Sequence, residues 1–158
     1  MAASRSATVT LGISMVVVAA LGAVGGALIS RRGAEKIAGR VSATGTSLGS
    51  FSFRVDDCAS GQAFVPGFFG ADLRAEGRAG ALRVVDSGDG ARLWLYPPAS
   101  GQPALGIGKQ SCSRWDVRAD WAHVTVNRVR TVTGHVHVTC AVGGGQVTAD
   151  VDFERCAL

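Results

Sequence analysis

A run of 24 residues without a charged side chain, residues 7–30, divides this chain into two unlike parts. A helix spans a bilayer with about 20 predominantly apolar residues, so the run is long enough to cross a membrane. The residues that follow, 41–158, are numerous enough to close a hydrophobic core unaided. The sequence therefore predicts a transmembrane or signal helix within 1–30, a charged linker at 31–40 and one domain at 41–158.

The apolar run fits a retained membrane anchor better than a cleaved signal peptide. Signal peptides have an apolar core of about 7–15 residues, which is shorter than this run. Cleavage near Gly25 or Ala27 is the alternative, and it would release a secreted protein. A retained helix makes the membrane the first expected partner, and a protein that contacts the domain is the second.

The positive charge of the chain lies beside the run and not in the domain. The net charge is +4, but 11 basic and 11 acidic residues lie beyond residue 40 and cancel each other. A nucleic-acid-binding domain needs a basic surface of its own, so nucleic acid is not an expected partner.

No catalytic or cofactor motif points to an enzyme. Gly45-Thr46-Ser47-Leu48-Gly49 matches the pattern around an esterase serine. That serine stands between a strand and a helix, whereas both flanks here have the pattern of strands. We therefore expect a non-enzymatic envelope or binding protein without a cofactor.

Two patterns disagree about the side of the membrane on which the domain lies. Four cysteines in a small domain behind a membrane segment predict two disulfides and an oxidising, extracytoplasmic compartment. Four Lys and Arg residues at 31–40 outnumber Arg5 before the run and favour a cytoplasmic domain. We give the cysteines more weight, because the charge bias of one helix is only a tendency.

Beyond residue 40, short alternating stretches are separated by Gly, Pro, Asp and Ser, which is the pattern of strands and turns. A sheet with one apolar face must bury it, and without a helix only a second sheet is available. We predict an all-β fold, a small antiparallel β-sandwich, with a barrel as the alternative. The predicted strands are 41–47, 51–55, 62–66, 70–76, 80–86, 91–96, 103–108, 116–126, 130–142 and 145–155.

Gly143-Gly144 predicts a two-residue hairpin turn, because glycine accepts the positive φ that such turns require. Small or apolar residues then face each other: Cys140 and Val147, Val138 and Ala149, Val136 and Val151, Gly134 and Phe153. On the other face, His137 lies opposite Asp150 and His135 opposite Asp152.

A three-residue loop, Asn127-Arg128-Val129, is predicted for the preceding hairpin. It keeps the apolar face continuous. The resulting pairs are Val124 with Val132, Ala122 with Gly134, Trp121 with His135 and His123 with Thr133. A further hairpin joins 81–86 to 91–96.

These registers constrain the disulfides. Cys140 faces residue 147, so Cys156 lies about 30 Å from it at ~3.3 Å per residue, whereas a disulfide needs Cα atoms within about 7 Å. Cys112 enters its strand at the Cys140 end. We therefore predict Cys112–Cys140 and Cys58–Cys156.

The outer face of the last three strands carries the candidate ligand-binding residues Trp121, His123, His135, His137, Asp150 and Asp152. Imidazoles two residues apart point the same way, and carboxylates opposite them complete a metal site or orient the rings. The alternatives are a solvated face with favourable cross-strand pairs and a pH-responsive surface. A metal- or small-ligand-binding module is thus our second function.

Phe68 and Phe69 follow Pro66-Gly67 in a tight turn region. We expect both rings in the core. If they are exposed, they form an apolar contact for a partner or for the membrane.

Overall fold

The computed structural model describes residues 36–98 and 104–157, and the predicted membrane segment lies outside them. The strands are β1 Lys36–Thr46, β2 Gly49–Arg54, β3 Asp57–Ser60, β4 Gly70–Arg74, β5 Ala81–Asp86, β6 Ala91–Tyr96, β7 Leu105–Ile107, β8 Cys112–Val126, β9 Val129–Val142 and β10 Gly145–Cys156. Short 3₁₀ turns occupy Gly61–Ala63, Glu76–Arg78 and Lys109–Ser111. Within the described ranges there is no α-helix, and hence none with the length and apolar character to cross a bilayer.

The strands form two antiparallel sheets of five. Sheet A has the order β2-β1-β10-β9-β8, and sheet B has the order β3-β4-β5-β6-β7. The core lies between them, where Val136 and Val151 of sheet A join Leu73 and Leu82 of sheet B in one buried cluster. The prediction of an all-β, sandwich-like fold is confirmed. The barrel alternative is wrong, because both sheets are open.

The hairpin at Gly143-Gly144 has the predicted register. Both glycines have positive φ, 59° and 82°, and Gly145 pairs with Val142. The apolar pairs from Cys140 with Val147 to Gly134 with Phe153 follow as predicted. The predicted hairpin of β5 and β6 is also present, with Leu82 opposite Leu95.

The preceding hairpin differs from the prediction. Its turn has two residues, Asn127 and Arg128, with φ of 48° and 67°, and Val126 pairs with Val129. A bulge then inserts residues 122–124 opposite residue 131. The four pairs predicted from the three-residue loop, including Val124 with Val132 and Ala122 with Gly134, are therefore wrong.

In the regular part of β8, Ala119 pairs with Gly134 and Trp121 with Val132. The odd-numbered residues of β8 between Trp115 and Trp121 pack against the core, and the even-numbered ones point outward. Residues 115–121 of β8 thus present the faces opposite to the predicted ones.

Three strand predictions also need correction. β1 begins at Lys36 and not at 41, because its pairing with β10 extends to Lys36 opposite Glu154. Residues 36–40, which we predicted as linker, are therefore part of this strand. Residues 57–60 form β3, which the pattern does not predict, and 62–66 do not form a strand. After β3, the Ser60 hydroxyl accepts a hydrogen bond from the Gln62 N–H and starts a 3₁₀ turn.

Both predicted disulfides are present, and they pair all four cysteines. Cys112 and Cys140 are direct partners on β8 and β9, with Cα atoms 3.8 Å apart. Cys58 on β3 and Cys156 on β10 have Cα atoms 5.2 Å apart. The second disulfide therefore links sheet B to sheet A through the core.

Candidate functional site

The outer face of sheet A brings four of the six predicted site residues together. His135 and His137 project from β9, with ring centroids 5.0 Å apart and nearly parallel planes. Asp150 lies opposite His137 and Asp152 opposite His135 on β10, as predicted. The glycine turn determines this arrangement, because it sets the register of the two strands.

A fifth member of the group, Asp116, comes from β8 and is not among the predicted residues. Asp116 pairs with His137 across the strands, and its Oδ1 lies 2.9 Å from His135 Nε2. An ionised carboxylate only accepts hydrogen bonds, so His135 Nε2–H is the donor. We call Asp116, His135, His137, Asp150 and Asp152 the imidazole–carboxylate cluster.

His137 lies between carboxylates of both neighbouring strands. Its Nε2 is 3.3 Å from Oδ1 of Asp150 and 3.3 Å from Oδ1 of Asp152, and its Nδ1 is 4.0 Å from Oδ2 of Asp116. This Nε2 is buried, and neither contact has the geometry of a hydrogen bond. The His137 ring is therefore positioned by its contacts with the side chains around it, and its Nε2 makes no hydrogen bond to either carboxylate.

The pKa of the Asp116 carboxyl lies below its ordinary value of 3.8. The hydrogen bond from His135 is the largest cause, and the positive charges of the two imidazoles and of Arg114 act in the same direction. Partial desolvation opposes them and raises the pKa. The hydrogen bond from His135 thus stabilises the ionised form of Asp116.

Basic residues flank the cluster on both sides. Arg40 of β1 lies opposite Asp150, and Arg118 of β8 lies opposite His135. Arg118 also pairs with Asp120, and Lys36 lies 3.6 Å from Glu154 at the end of the face. On the outer face, the imidazole–carboxylate cluster therefore lies between Arg40 on one side and Arg118 on the other.

Trp121, predicted beside His135, lies on the opposite face. Its ring centroid is 4.7 Å from that of Phe69, and the Arg130 guanidinium lies 5.5 Å from its ring. An alternation in the sequence indicates this placement: Trp115, Val117, Ala119 and Trp121 are apolar, whereas Arg114, Asp116, Arg118 and Asp120 are charged. The same alternation would have identified Asp116.

His123 also lies apart from the cluster. It is exposed in the bulge of β8, five residues from Arg118, the partner of His135. That separation corresponds to about 17 Å along the strand at ~3.3 Å per residue.

The cluster is an open surface. The side chains of Asp116, Asp150 and Asp152 are 63%, 76% and 73% exposed. The described residues contain no group of three or more His, Cys, Asp or Glu side chains arranged to hold a metal ion. The metal-binding alternative therefore gains no support from the geometry, whereas ionic contacts to a large partner remain accessible.

A separate cavity of about 670 Å³ lies along β6 and β7. Its lining includes Trp94, Trp115, Arg92 and Lys109, and none of its lining residues belongs to the cluster.

The turn that carries Ser47 joins β1 to β2 directly, as its flanking pattern predicts.

No protein-family model, curated protein or solved structure matches this chain.

Proposed function

We propose that this protein is a membrane-anchored, extracytoplasmic binding domain that presents the imidazole–carboxylate cluster to a basic surface of a partner protein. The single observation that carries the proposal is the set of three exposed carboxylates gathered around two imidazoles on β8, β9 and β10. Binding, and not catalysis, is favoured because the cluster is open to solvent and does not enclose a substrate.

Two features support the anchored and extracytoplasmic part of the proposal. The uncharged run at 7–30 is long enough to span a bilayer. The two disulfides are consistent with an oxidising compartment.

The charges of the cluster support a basic partner near neutral pH. The exposed carboxylates of Asp116, Asp150 and Asp152 are acceptors for the cationic groups of such a partner. Arg40 and Arg118 flank them, so a basic group of the partner is expected at the centre of the face and not at its edges.

Hexalysine is a suitable probe of this face, titrated into the full chain in protein-free lipid nanodiscs and followed by NMR of backbone amides. We expect shift changes on β9 and β10 near neutral pH, and we expect them to weaken as salt is added, because the contacts are ionic and exposed. Asp150→Asn with Asp152→Asn removes them, whereas the control pair Asp56→Asn with Asp89→Asn, exposed acids outside the cluster, preserves them.

Shift changes that persist in Asp150→Asn with Asp152→Asn, or that are lost equally in the control pair, would contradict the proposal. Zinc is the second probe. Stoichiometric zinc binding that is lost in His137→Ala would replace the proposal by metal binding.

A further inference from the structure

We infer that one end of the domain docks on an anionic lipid bilayer through an apolar loop and the tip of a hairpin. The loop is residues 64–69 and the tip is residues 124–130, and we call the two together the apolar end. The inference rests on the proposed anchoring in a membrane, and it concerns a surface that the imidazole–carboxylate cluster does not use.

The apolar end exposes large apolar side chains to solvent. Val65 is 101% exposed, and Val124 and Val126 are 45% and 39% exposed. Among the described residues only one other large apolar side chain, Trp94, is exposed. Scattered apolar residues are normal on a surface, but their concentration in two segments indicates a contact area.

The loop holds its apolar tip outward. The Arg83 guanidinium lies 5.0 Å from the ring of Phe64 and 5.0 Å from the ring of Phe68, and it pairs with the buried Asp72 at 2.9 Å. Cation–π contacts of this kind fix both rings beside sheet B. Val65, between them in sequence, is thereby presented to solvent.

The loop and the hairpin tip are neighbours. The Arg130 N–H donates a hydrogen bond to Gln62 Oε1 at 3.0 Å, just before the loop. Phe69 contacts Trp121, and a single groove is lined by residues of the loop together with Arg128 and Val129. The two segments therefore form one continuous surface.

This surface is basic as well as apolar. Residues 60–71 carry no charge, and residues 121–131 carry Arg128 and Arg130 but no acid. Both arginines are exposed. Arginine beside exposed apolar groups suits the boundary between anionic headgroups and acyl chains.

Strand β1, the first strand of the domain, begins at the same end of sheet A as the hairpin tip. Lys36 begins β1 opposite Glu154, and Cys156 pairs with Val132, so β1 and β9 begin at the same end of the sheet, with β10 between them. The tip extends four residues beyond Thr133, or about 13 Å at ~3.3 Å per residue. The Gly143-Gly144 turn lies at the opposite end.

Chain length brings this end close to the bilayer. Five residues, 31–35, separate the uncharged run from Lys36, and they reach at most about 20 Å. A domain tethered this closely meets the bilayer at a high effective concentration, so weak contacts suffice. A bilayer is therefore a better match for the apolar end than a diffusing protein.

Hydrogen–deuterium exchange of the full chain in nanodiscs tests the inference. We expect the amides of 64–69 and 124–130 to exchange about tenfold more slowly in discs containing phosphatidylglycerol than in discs of phosphatidylcholine alone. Val65→Asp with Arg128→Asn abolishes the difference. Neither substitution threatens the fold, since Val65 is fully exposed and Asn tolerates the positive φ of residue 128.

The matched control is Ala141→Asp with Arg54→Asn, which changes the same charges on exposed residues away from the apolar end and retains the protection. A chain that enters the discs but exchanges equally in both lipids overturns the docking inference and leaves the anchor intact. A chain that does not enter discs overturns both. Protection that appears only when other membrane proteins are present indicates a protein partner and also overturns the inference.

Discussion

The Nε2 atom of His135 on β9 lies 2.9 Å from Oδ1 of Asp116 on β8. The contact exists only because a bulge at 122–124 shifts β8 relative to β9. In the register predicted from a three-residue loop, Trp121 would occupy the place beside His135. The cluster therefore depends on an irregularity of the strand as much as on its residue types.

The pKa of Asp116 provides a direct check of this contact. We expect the Asp116 carboxyl to titrate below 3.8, because His135 donates a hydrogen bond to its charged form. His135→Ala raises that pKa toward 3.8, and His123→Ala, outside the cluster, does not. Carbon-13 NMR of the carboxyl measures both, and an unchanged Asp116 titration in His135→Ala would contradict the contact.

The same shift predicts how the pair affects stability. A carboxyl whose pKa is lower in the folded state than in the unfolded state stabilises the fold above its unfolded pKa. This contribution is present above about pH 4 and is lost as the pH falls through the lowered folded pKa. Asp116→Asn should therefore lower the free energy of unfolding at neutral pH and have no effect at a pH below both values.

Gly134 is a second point at which β8 and β9 meet. A Cβ atom there would lie 2.0 Å from the Arg118 carbonyl oxygen and 2.9 Å from Cζ of Phe153. Gly134→Ala should therefore cost about 3 kcal/mol of unfolding free energy, measured by denaturant titration. Gly67→Ala is the control and should cost less than about 0.5 kcal/mol, because the nearest atom to its Cβ would be the Phe64 carbonyl oxygen at 3.6 Å, an ordinary contact. Equal costs would show that the strands do not approach this closely.

The two disulfides should differ in their effect on stability. Cys58–Cys156 spans a sequence separation of 98, and Cys112–Cys140 spans 28. Loop-closure entropy predicts about 4.7 and about 3.6 kcal/mol, respectively. Replacing the first pair by alanine should thus lower the unfolding free energy by about 1 kcal/mol more than replacing the second. The reverse order would indicate that Cys58–Cys156, which links the two sheets, does not make the larger contribution to stability.

Arg128 carries a conformational cost in its turn. Its φ is 67°, which disfavours residues with a Cβ. Arg128→Gly should raise the unfolding free energy by about 1 kcal/mol, since Asn-Gly is a preferred pair for this kind of turn. Arg54→Gly, in a strand, should lower it. A stability gain at residue 128 combined with weaker membrane contact would show that this arginine is retained for binding.

Much of the fold follows from local rules in the sequence. At Gly143-Gly144 the turn chemistry and the apolar alternation require the same register, and that register also places His135, His137, Asp150 and Asp152 and leads to the disulfide pairing. Agreement between two independent patterns is what makes such a prediction reliable.

The hairpin of β8 and β9 shows where these rules fail. Ala122, Val124 and Val126 alternate with polar residues and read as a core face, yet both valines are exposed. The alternation belongs to a projecting tip and not to the core, and a bulge has no clear sequence signature. Sites at which the burial rule is broken are expected to be functional, and this tip is half of the proposed membrane contact.

The most direct test of the proposed location is alkylation of the cysteines by a membrane-impermeant maleimide in intact cells that express the full chain. We predict that Cys58, Cys112, Cys140 and Cys156 react only after a reductant is added, and that mass mapping returns the pairs 58–156 and 112–140. Reaction of all four without reductant, and only after the cells are opened, would place the domain in the cytoplasm and contradict the account.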